Sequence, residues 1–435
     1  MSDAQASSAI HPQGGSQNSS TSVAEPPQDK GGRPSIRLGA AIALAGPLWV
    51  APYVASIAVL LPARLAVIAP DDKVNIIAML AMLGSLVALV ANILFGAASD
   101  LTRSKLGRRT PWLLIGSVGS AVLLYSLSVA TSVTAIVVIW CAFQFTLNAI
   151  VAPVLAIIPD RVPERYLGTF SGIYGVGCLV GASLAGMGAA AFVSNPSTGF
   201  IVFAVIILLA GPVVAVLAPD KSNKDMPRPA FSKSMLLQNF SFPRHGARDF
   251  YLALVGKLMF VLAVFMISGY QFYIATDYLH LDPAGAGGLI GLMSLVQLVV
   301  SLVFGLGAGP VSDKIGRRKM PVVLCTIVMA VALLIPFFWR DPMAMVVFAG
   351  IGMGAAWGAF GALDQALNFE VLPDLETSAK DLGILNMANT GGQMLGPVAM
   401  SLVIGASGGY GLGFIVAAVI AVVAGLIVSR IRSAR

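Results

Sequence analysis

Two ionisable residues lie deep inside long apolar runs of this chain: Lys257 within 249–275 and Asp364 within 343–369. A charge held in hydrocarbon costs at least about 2.5–3.5 kcal/mol, so such residues mark a pathway or a partner. At 1.5 Å per helical residue, each sits roughly 9–12 Å from one end of its run, at comparable depth. The chemistry on offer is an ion pair that breaks, or whose carboxylate takes up a proton. A pair that only stitches two helices together is the plainer alternative.

Four apolar runs, these two included, also carry aromatic and amide side chains at helical spacing. Trp49, Tyr53 and Ser56 share one run, and Trp140, Gln144 and Asn148 a second. Ser268 and Gln271 fall on the side of Lys257, while Trp357, Phe360, Asp364 and Asn368 form one stripe. Aromatic rings stack on the C–H faces of sugars and amides bond their hydroxyls, so the set suits a polyhydroxyl solute. Singly, each has a plainer use: tryptophans mark membrane interfaces and amides bridge helices. The expected solute contacts are Trp49, Tyr53, Gln144, Asn148, Gln271, Trp357 and Asn368. A similar stripe, Asn386, Asn389, Thr390 and Gln393, reads as inter-helix bonding.

No catalytic constellation accompanies these residues. His11, His245 and His280 lie in the N-terminal tail and in loops, with no acid or cysteine at ligand spacing. Cys141, Cys178 and Cys325 fall inside apolar segments without paired spacing and read as small buried thiols. No glycine-rich loop ending in Lys-Ser/Thr is present to cradle phosphates, which excludes an ATP-driven pump. Neither an enzyme, a metal nor a cofactor is expected.

The elements that hold these residues are helices crossing a membrane. The 435 residues are 57% hydrophobic and only 11% charged, against about 25% charged in soluble domains. Mean hydropathy is +0.86. A hydrocarbon core about 30 Å thick takes roughly 20 helical residues to cross. Twelve stretches qualify: 38–61, 75–97, 111–131, 134–158, 169–192, 199–218, 249–275, 284–307, 320–338, 343–369, 383–405 and 411–430. Transmembrane β-strands would alternate in segments of about ten residues, which these runs do not. The fold class is therefore all-α and polytopic. Residues 1–37, rich in Ser, Gln, Gly and Pro, read as a disordered tail. Residues 38–218 form one six-helix bundle, 219–248 a polar linker with six Lys/Arg, and 249–435 a second bundle. An amphipathic piece is expected at Met235–Phe240.

The formal charge of +7 concerns orientation rather than nucleic acid. The tail, the C-terminus and the loops after even-numbered spans hold 23 Lys/Arg. The loops after odd-numbered spans hold only Arg64, Lys73 and Arg340. By the positive-inside rule both termini face the cytoplasm.

One of the basic loops occurs twice. Gly96-Ala-Ala-Ser-Asp100-Leu-Thr-Arg103-Ser-Lys-Leu-Gly107-Arg108-Arg109 follows the second span, and Gly309-Pro-Val-Ser-Asp313-Lys-Ile-Gly316-Arg317-Arg318 follows the eighth. A second landmark, Pro159-Asp160 and Pro373-Asp374, recurs at nearly the same offset. The chain is thus built as two related six-span halves.

Twelve spans with Gly-x-x-x-Asp and Gly-Arg-Arg after spans two and eight resemble the major facilitator superfamily. The first copy has four extra residues between Asp100 and Gly107 and is followed by Pro111-Trp112. In this it is similar to the glycoside–pentoside–hexuronide:cation symporters and the plant-type sucrose transporters. The resemblance implies that spans one, four, seven and ten line a central cavity. It also implies that the two loops latch the halves on the cytoplasmic side during alternating access. Gating roles then fall to Gly96, Asp100, Arg103, Gly107, Arg108 and Arg109, and to Gly309, Asp313, Gly316, Arg317 and Arg318. Cation-binding members of that branch place aspartates in spans one and two, where this chain has none, so a proton at Asp364, or simple facilitated diffusion, replaces sodium. Drug/proton antiporters carry a glycine-rich span-five motif that includes proline; Gly172, Gly175, Gly177 and Gly181 here come without one.

The expectation is a monomeric secondary transporter of the plasma membrane, whose partners are a small polar solute, a sugar or glycoside, together with protons and the bilayer. An exporter of drug-like or amphipathic compounds shares the fold. A transporter-like sensor or assembly factor without flux is the reading from another class, and a lipid-processing enzyme the remotest.

Overall fold

The computed structural model describes residues 34–225, 243, 247–315, 318–373 and 378–433. The expected amphipathic piece at Met235–Phe240, most of the tail, and Gly316 and Arg317 lie outside the described residues, as does the side chain of Asp313.

Twelve helices follow one another among the described residues. The first set is α1 (Ile36–Ile68), α2 (Lys73–Leu101), α3 (Thr110–Val129), α4 (Val133–Arg161), α5 (Glu164–Ala190) and α6 (Pro196–Leu217). The second set is α7 (Arg248–Ser268), α8 (Pro283–Ile315), α9 (Lys319–Phe338), α10 (Pro342–Glu370), α11 (Ser378–Ser407) and α12 (Gly411–Ser429). Local chemistry sets the starts. Ser35, Ser132, Asn195 and Asp341 each accept a backbone N–H of the first turn they cap, and Pro196 and Pro342 open α6 and α10. Eleven of the twelve are long and apolar enough to cross a membrane. The exception is α11, 30 residues long, which carries Asn386, Asn389, Thr390 and Gln393 between its ninth and sixteenth residues. Helix α1 starts at Ile36, two residues before the expected edge of the tail.

The packing repeats as the sequence does. In the first half α1 packs on α5 and α6, α2 on α4, and α3 on α4 and α6. In the second half α7 packs on α11 and α12, α8 on α10, and α9 on α10 and α12. The halves meet through α2 on α11 and α5 on α8. The face carrying the two Gly/Asp/Arg loops is called the motif face below, and the other the opposite face.

Lipid offers apolar surface no gain from burial against protein, so close backbone approach must hold these helices together. Glycine supplies it at matching places. A Cβ on Gly177 would lie 2.6 Å from the Ala43 carbonyl oxygen, and one on Gly181 2.6 Å from Pro47 Cα. Pro47 has no N–H to give the Ala43 carbonyl, which leaves that oxygen facing α5. The second half repeats this 215 residues on, where Gly392 and Gly396 (after 177 and 181) lie against Val261, Leu262 and Phe265 of α7. A Cβ at these four glycines has no room to move into, because backbone is among its nearest neighbours. Replacing Gly181 with valine is expected to destabilise the protein by about 1–3 kcal/mol, read as a lower apparent Tm in detergent. Gly172→Ala, where an added Cβ meets nothing within 4 Å, is the control that leaves it unchanged.

Candidate functional site

The two charges found inside the apolar runs meet. Lys257 Nζ of α7 lies 2.6 Å from Asp364 Oδ2 of α10, with their side chains 3% and 7% exposed. Asn368, one turn on from Asp364, donates its Nδ2 to the same oxygen at 3.0 Å. Its Oδ1 is buried without a partner among the described residues. Charge-assisted bonds of this kind are strong where little water competes.

The expected solute contacts divide into two groups. Trp49, Tyr53, Gln271 and Trp357 are half-buried, whereas Gln144, Asn148 and Asn368 are buried. Asn148 donates to the Gln144 carbonyl at 2.9 Å and accepts from Asn92 Nδ2 of α2 at 3.2 Å, so it bridges helices. Trp140 is fully buried, donates to the Leu80 carbonyl and stacks on Tyr53 at 6.0 Å. Trp49 donates to the hydroxyl of Tyr174 at 3.1 Å. Tyr174 lies in α5, outside the four runs read as cavity-lining, and sequence reasoning misses it for that reason. Trp357 belongs to an aromatic cluster with Phe260, Phe265 and Phe360.

Two expectations are corrected. Gln271 does not continue the face of Lys257, because α7 ends at Ser268 and the chain turns at Gly269 and Tyr270 before a new helical turn at Gln271–Tyr273. The turn is fixed by Tyr270, whose hydroxyl lies 2.9 Å from the Val74 carbonyl oxygen and 3.0 Å from that of Pro397 and shares its one proton between them. The amide stripe of α11 makes no inter-helix hydrogen bond among the described residues. Asn389 instead donates to Asn386 of the same helix at 2.8 Å.

At the motif face the first loop is held by ions. Arg109, 5% exposed, bonds Asp100 at 2.7 Å and Asp160 at 3.0 Å, and donates to Ser99. Arg108 pairs with Asp160 and reaches Asp100 at 4.0 Å. Arg103 turns back on the carbonyls of Asp100 and Thr102. Gly107 has φ +82°, the left-handed region that suits glycine, and the Asp220 side chain fills the space beside it. The extra residues of this loop have a structural use that spacing alone does not reveal. Ser104 N donates to Asn223 Oδ1, Asn223 Nδ2 to the Thr102 carbonyl, and Trp112 Nε1 to Thr102 Oγ1. Asp220 accepts from Arg109 N and pairs with Arg161 at 2.9 Å. The chain leaving α6 is thereby tied to the first loop and to the end of α4. Gly96 and Gly309 have open space around them. In the second loop Arg318 pairs with Glu370 at 3.3 Å.

The family model of the Major Facilitator Superfamily matches residues 54–305 and 254–435. The chain belongs to the major facilitator superfamily. A curated relative, the MFS transporter asaE of Aspergillus flavus, is 30% identical over 210 residues, 47% of this chain. The match spans 43% of that relative's length. Among solved structures, the nucleoside transporter NupG is similar with a TM-score of 0.73 at 14% identity, covering 91% of this chain and 99% of that one. The peptide transporter POT is similar with a TM-score of 0.69 at 15% identity, covering 90% and 93%. At such identities the likeness concerns the fold.

In this member of the superfamily the halves are bonded to each other at the opposite face. Lys73 at the start of α2 pairs with Asp277, which lies beyond α7, at 2.8 Å, and Asp277 accepts from Tyr410. Tyr273 donates to the Pro62 carbonyl of α1, and Ser401 of α11 donates to Asn75 of α2 at 2.7 Å. The other two cations of this side are engaged as well: Arg64 donates to the Ala130 carbonyl, and Arg340 sits over the Tyr278 ring. Between these elements lies a cavity of about 730 Å³ lined by residues including Arg64, Lys73, Asp277 and Asp282.

Removing one member of a buried ion pair leaves the other charge without compensation. Asp364→Leu is expected to cost about 3–5 kcal/mol, while Lys257→Met combined with Asp364→Leu comes back close to wild type. Thermal unfolding of the purified protein, compared across the two variants, measures this.

Proposed function

We propose that the protein is a secondary transporter that moves a small polar solute, a sugar or glycoside, by alternating access with proton coupling at Asp364. The observation that carries this reading is the buried Lys257–Asp364 pair at 2.6 Å. A neutralised pair can stay in hydrocarbon; a proton on Asp364 would free Lys257, so protonation and rearrangement of α7 against α10 are linked. The half-buried Trp49, Tyr53 and Trp357 offer ring faces for a sugar. The solved neighbours are transporters of nucleosides and peptides, which are polar cargoes as well.

On this reading the motif face is cytoplasmic, both termini lie there, and the membrane is the plasma membrane. The count of 23 Lys/Arg against three supports that orientation. The loops 96–109 and 309–318 act as gates, and residues up to 218 and from 249 move as two bundles around the linker, in a monomer.

A second reading, export of amphipathic compounds, draws on the aromatic cluster of Trp357, Phe260, Phe265 and Phe360. It predicts resistance to such compounds on overexpression.

The deciding experiment is uptake of a panel of labelled sugars into proteoliposomes with and without a pH gradient. Gradient-driven accumulation of at least one sugar is expected, and Asp364→Asn is expected to abolish the accumulation while the protein still inserts. Flux for no sugar overturns the substrate class, and unchanged gradient-driven uptake by Asp364→Asn overturns the coupling role.

A further inference from the structure

Among the described residues the polar stripe of α11 has no hydrogen-bond partner on another element, and its placement says what it faces. At 3.6 residues per turn, α11 has three distinct lines along its length. One is packed on α7: Leu385 and Ala388 are buried, and Gly392 and Gly396 take Val261, Leu262 and Phe265 against their backbone. A second, with Leu395 and Leu402 exposed, is the lipid side. The third runs through Asn386, Thr390, Gln393, Pro397 and Ser401, on the far side of the helix from Leu395 and Leu402.

This third line points to the other half of the protein. At its far end Ser401 donates to Asn75 of α2, and the Pro397 carbonyl accepts from Tyr270. Toward the motif face the line goes on as amides and a hydroxyl. Asn386 is exposed, Asn389, Thr390 and Gln393 are half-buried, and their one hydrogen bond among the described residues is internal to α11. Polar groups without partners are not left in hydrocarbon; they face protein or a water-filled cavity. Protein bonds are lacking among the described residues and the lipid side lies opposite, so water remains.

We propose that Asn386, Asn389, Thr390 and Gln393 form the hydrogen-bonding wall of the solute cavity and select a neutral, multiply hydroxylated solute. The inference rests on the transport reading above and deepens it. The wall holds carboxamide and hydroxyl groups, which both donate and accept, and no charge. Charges of the C-terminal half are spent on each other: Lys257 and Asp364 are 3% and 7% exposed and paired at 2.6 Å, and at the start of α11 Lys380 lies 3.8 Å from the buried Asp381. A hydroxylated solute satisfies such a wall, whereas an ionic one would exchange its hydration for dipoles alone. The pair serves the proton and α11 serves the solute.

The test uses the full chain in proteoliposomes, with Cys141, Cys178 and Cys325 replaced by alanine and single cysteines introduced in α11. Asn386→Cys, Thr390→Cys and Gln393→Cys are exposed to a charged, membrane-impermeant methanethiosulfonate, with Leu385→Cys and Ala388→Cys as controls in the same helix. Modification an order of magnitude faster at the three stripe positions is expected. Rates as slow as those at 385 and 388 overturn the water-facing wall. Sucrose and glucose are the protecting probes, with glutamate as the charged comparison. Slower modification of Thr390→Cys and Gln393→Cys by either sugar supports the neutral class; slowing by glutamate alone, or by none of the three, overturns it. Slow labelling in a protein that still accumulates sugar sinks this inference alone. Rapid labelling without uptake of any sugar in the panel sinks the sugar reading instead.

Discussion

Hydrocarbon supplies no hydrogen bonds, and this constraint decides where α7 can stand in the C-terminal half. Lys257 must find an anion, and the Asp364 carboxylate on α10 is placed to provide it at 2.6 Å. With that side of α7 committed to α10, its remaining sides receive α11 and α12. Gly392 and Gly396 allow α11 to approach until its backbone meets α7. One ion pair and one glycine seam thus fix the neighbours of a central helix. The orphaned Oδ1 of Asn368 shows how closely the pair is enclosed.

The two halves share their packing but not their chemistry. The glycine seam between α1 and α5 recurs between α7 and α11, 215 residues later. The ion pair does not recur. At that offset, the N-terminal half has Ile42 and Ala149 in place of Lys257 and Asp364, both buried. Its polar groups are amides instead: Asn92, Gln144 and Asn148, linked across α2 and α4. Duplication supplied the scaffold, and divergence put the ionisable group on one side only.

Much of this is legible in the sequence because membranes make charge conspicuous. Lys257 and Asp364 stand out as ionisable residues in apolar runs, and matching depth is enough to pair them. The repeated loops are legible because glycine, aspartate and arginine at fixed spacing are rare between apolar stretches. What escapes depends on tertiary folding. Helical spacing carries Gln271 through a segment where Tyr270 breaks the helix, and nothing local announces a hydroxyl that bonds Val74 and Pro397. Asp220 and Asn223 look like ordinary linker residues until the first loop folds onto them. Lys73 counts in the sequence only toward orientation, although it joins the halves through Asp277. The α11 stripe is visible as a stripe, but which neighbour it faces can be told only once Gly392 and Ser401 have been placed.

The seam between α5 and α8 carries the argument from packing to motion. On α5, Gly168 and Gly186 are 18 residues apart, five turns, and so share one face with Gly172, Gly175 and Ala190. Toward the opposite face this line is closed: a Cβ on Gly186 would run into Ser294 of α8, and a Cβ on Gly287 of α8 would lie 2.8 Å from the Ala190 carbonyl oxygen. Toward the motif face it is open, with none of the described residues within 4 Å of a Cβ at Gly168, Gly172 or Gly175. The contacts Lys73–Asp277 and Ser401–Asn75 fall on the closed side as well. One continuous small-residue face is therefore occupied along part of its length and vacant along the rest. Small residues along the whole line leave room for α8 against either end of α5 without a side chain in its way. The small residues that close the seam at one end thus leave room for a neighbouring helix at the other.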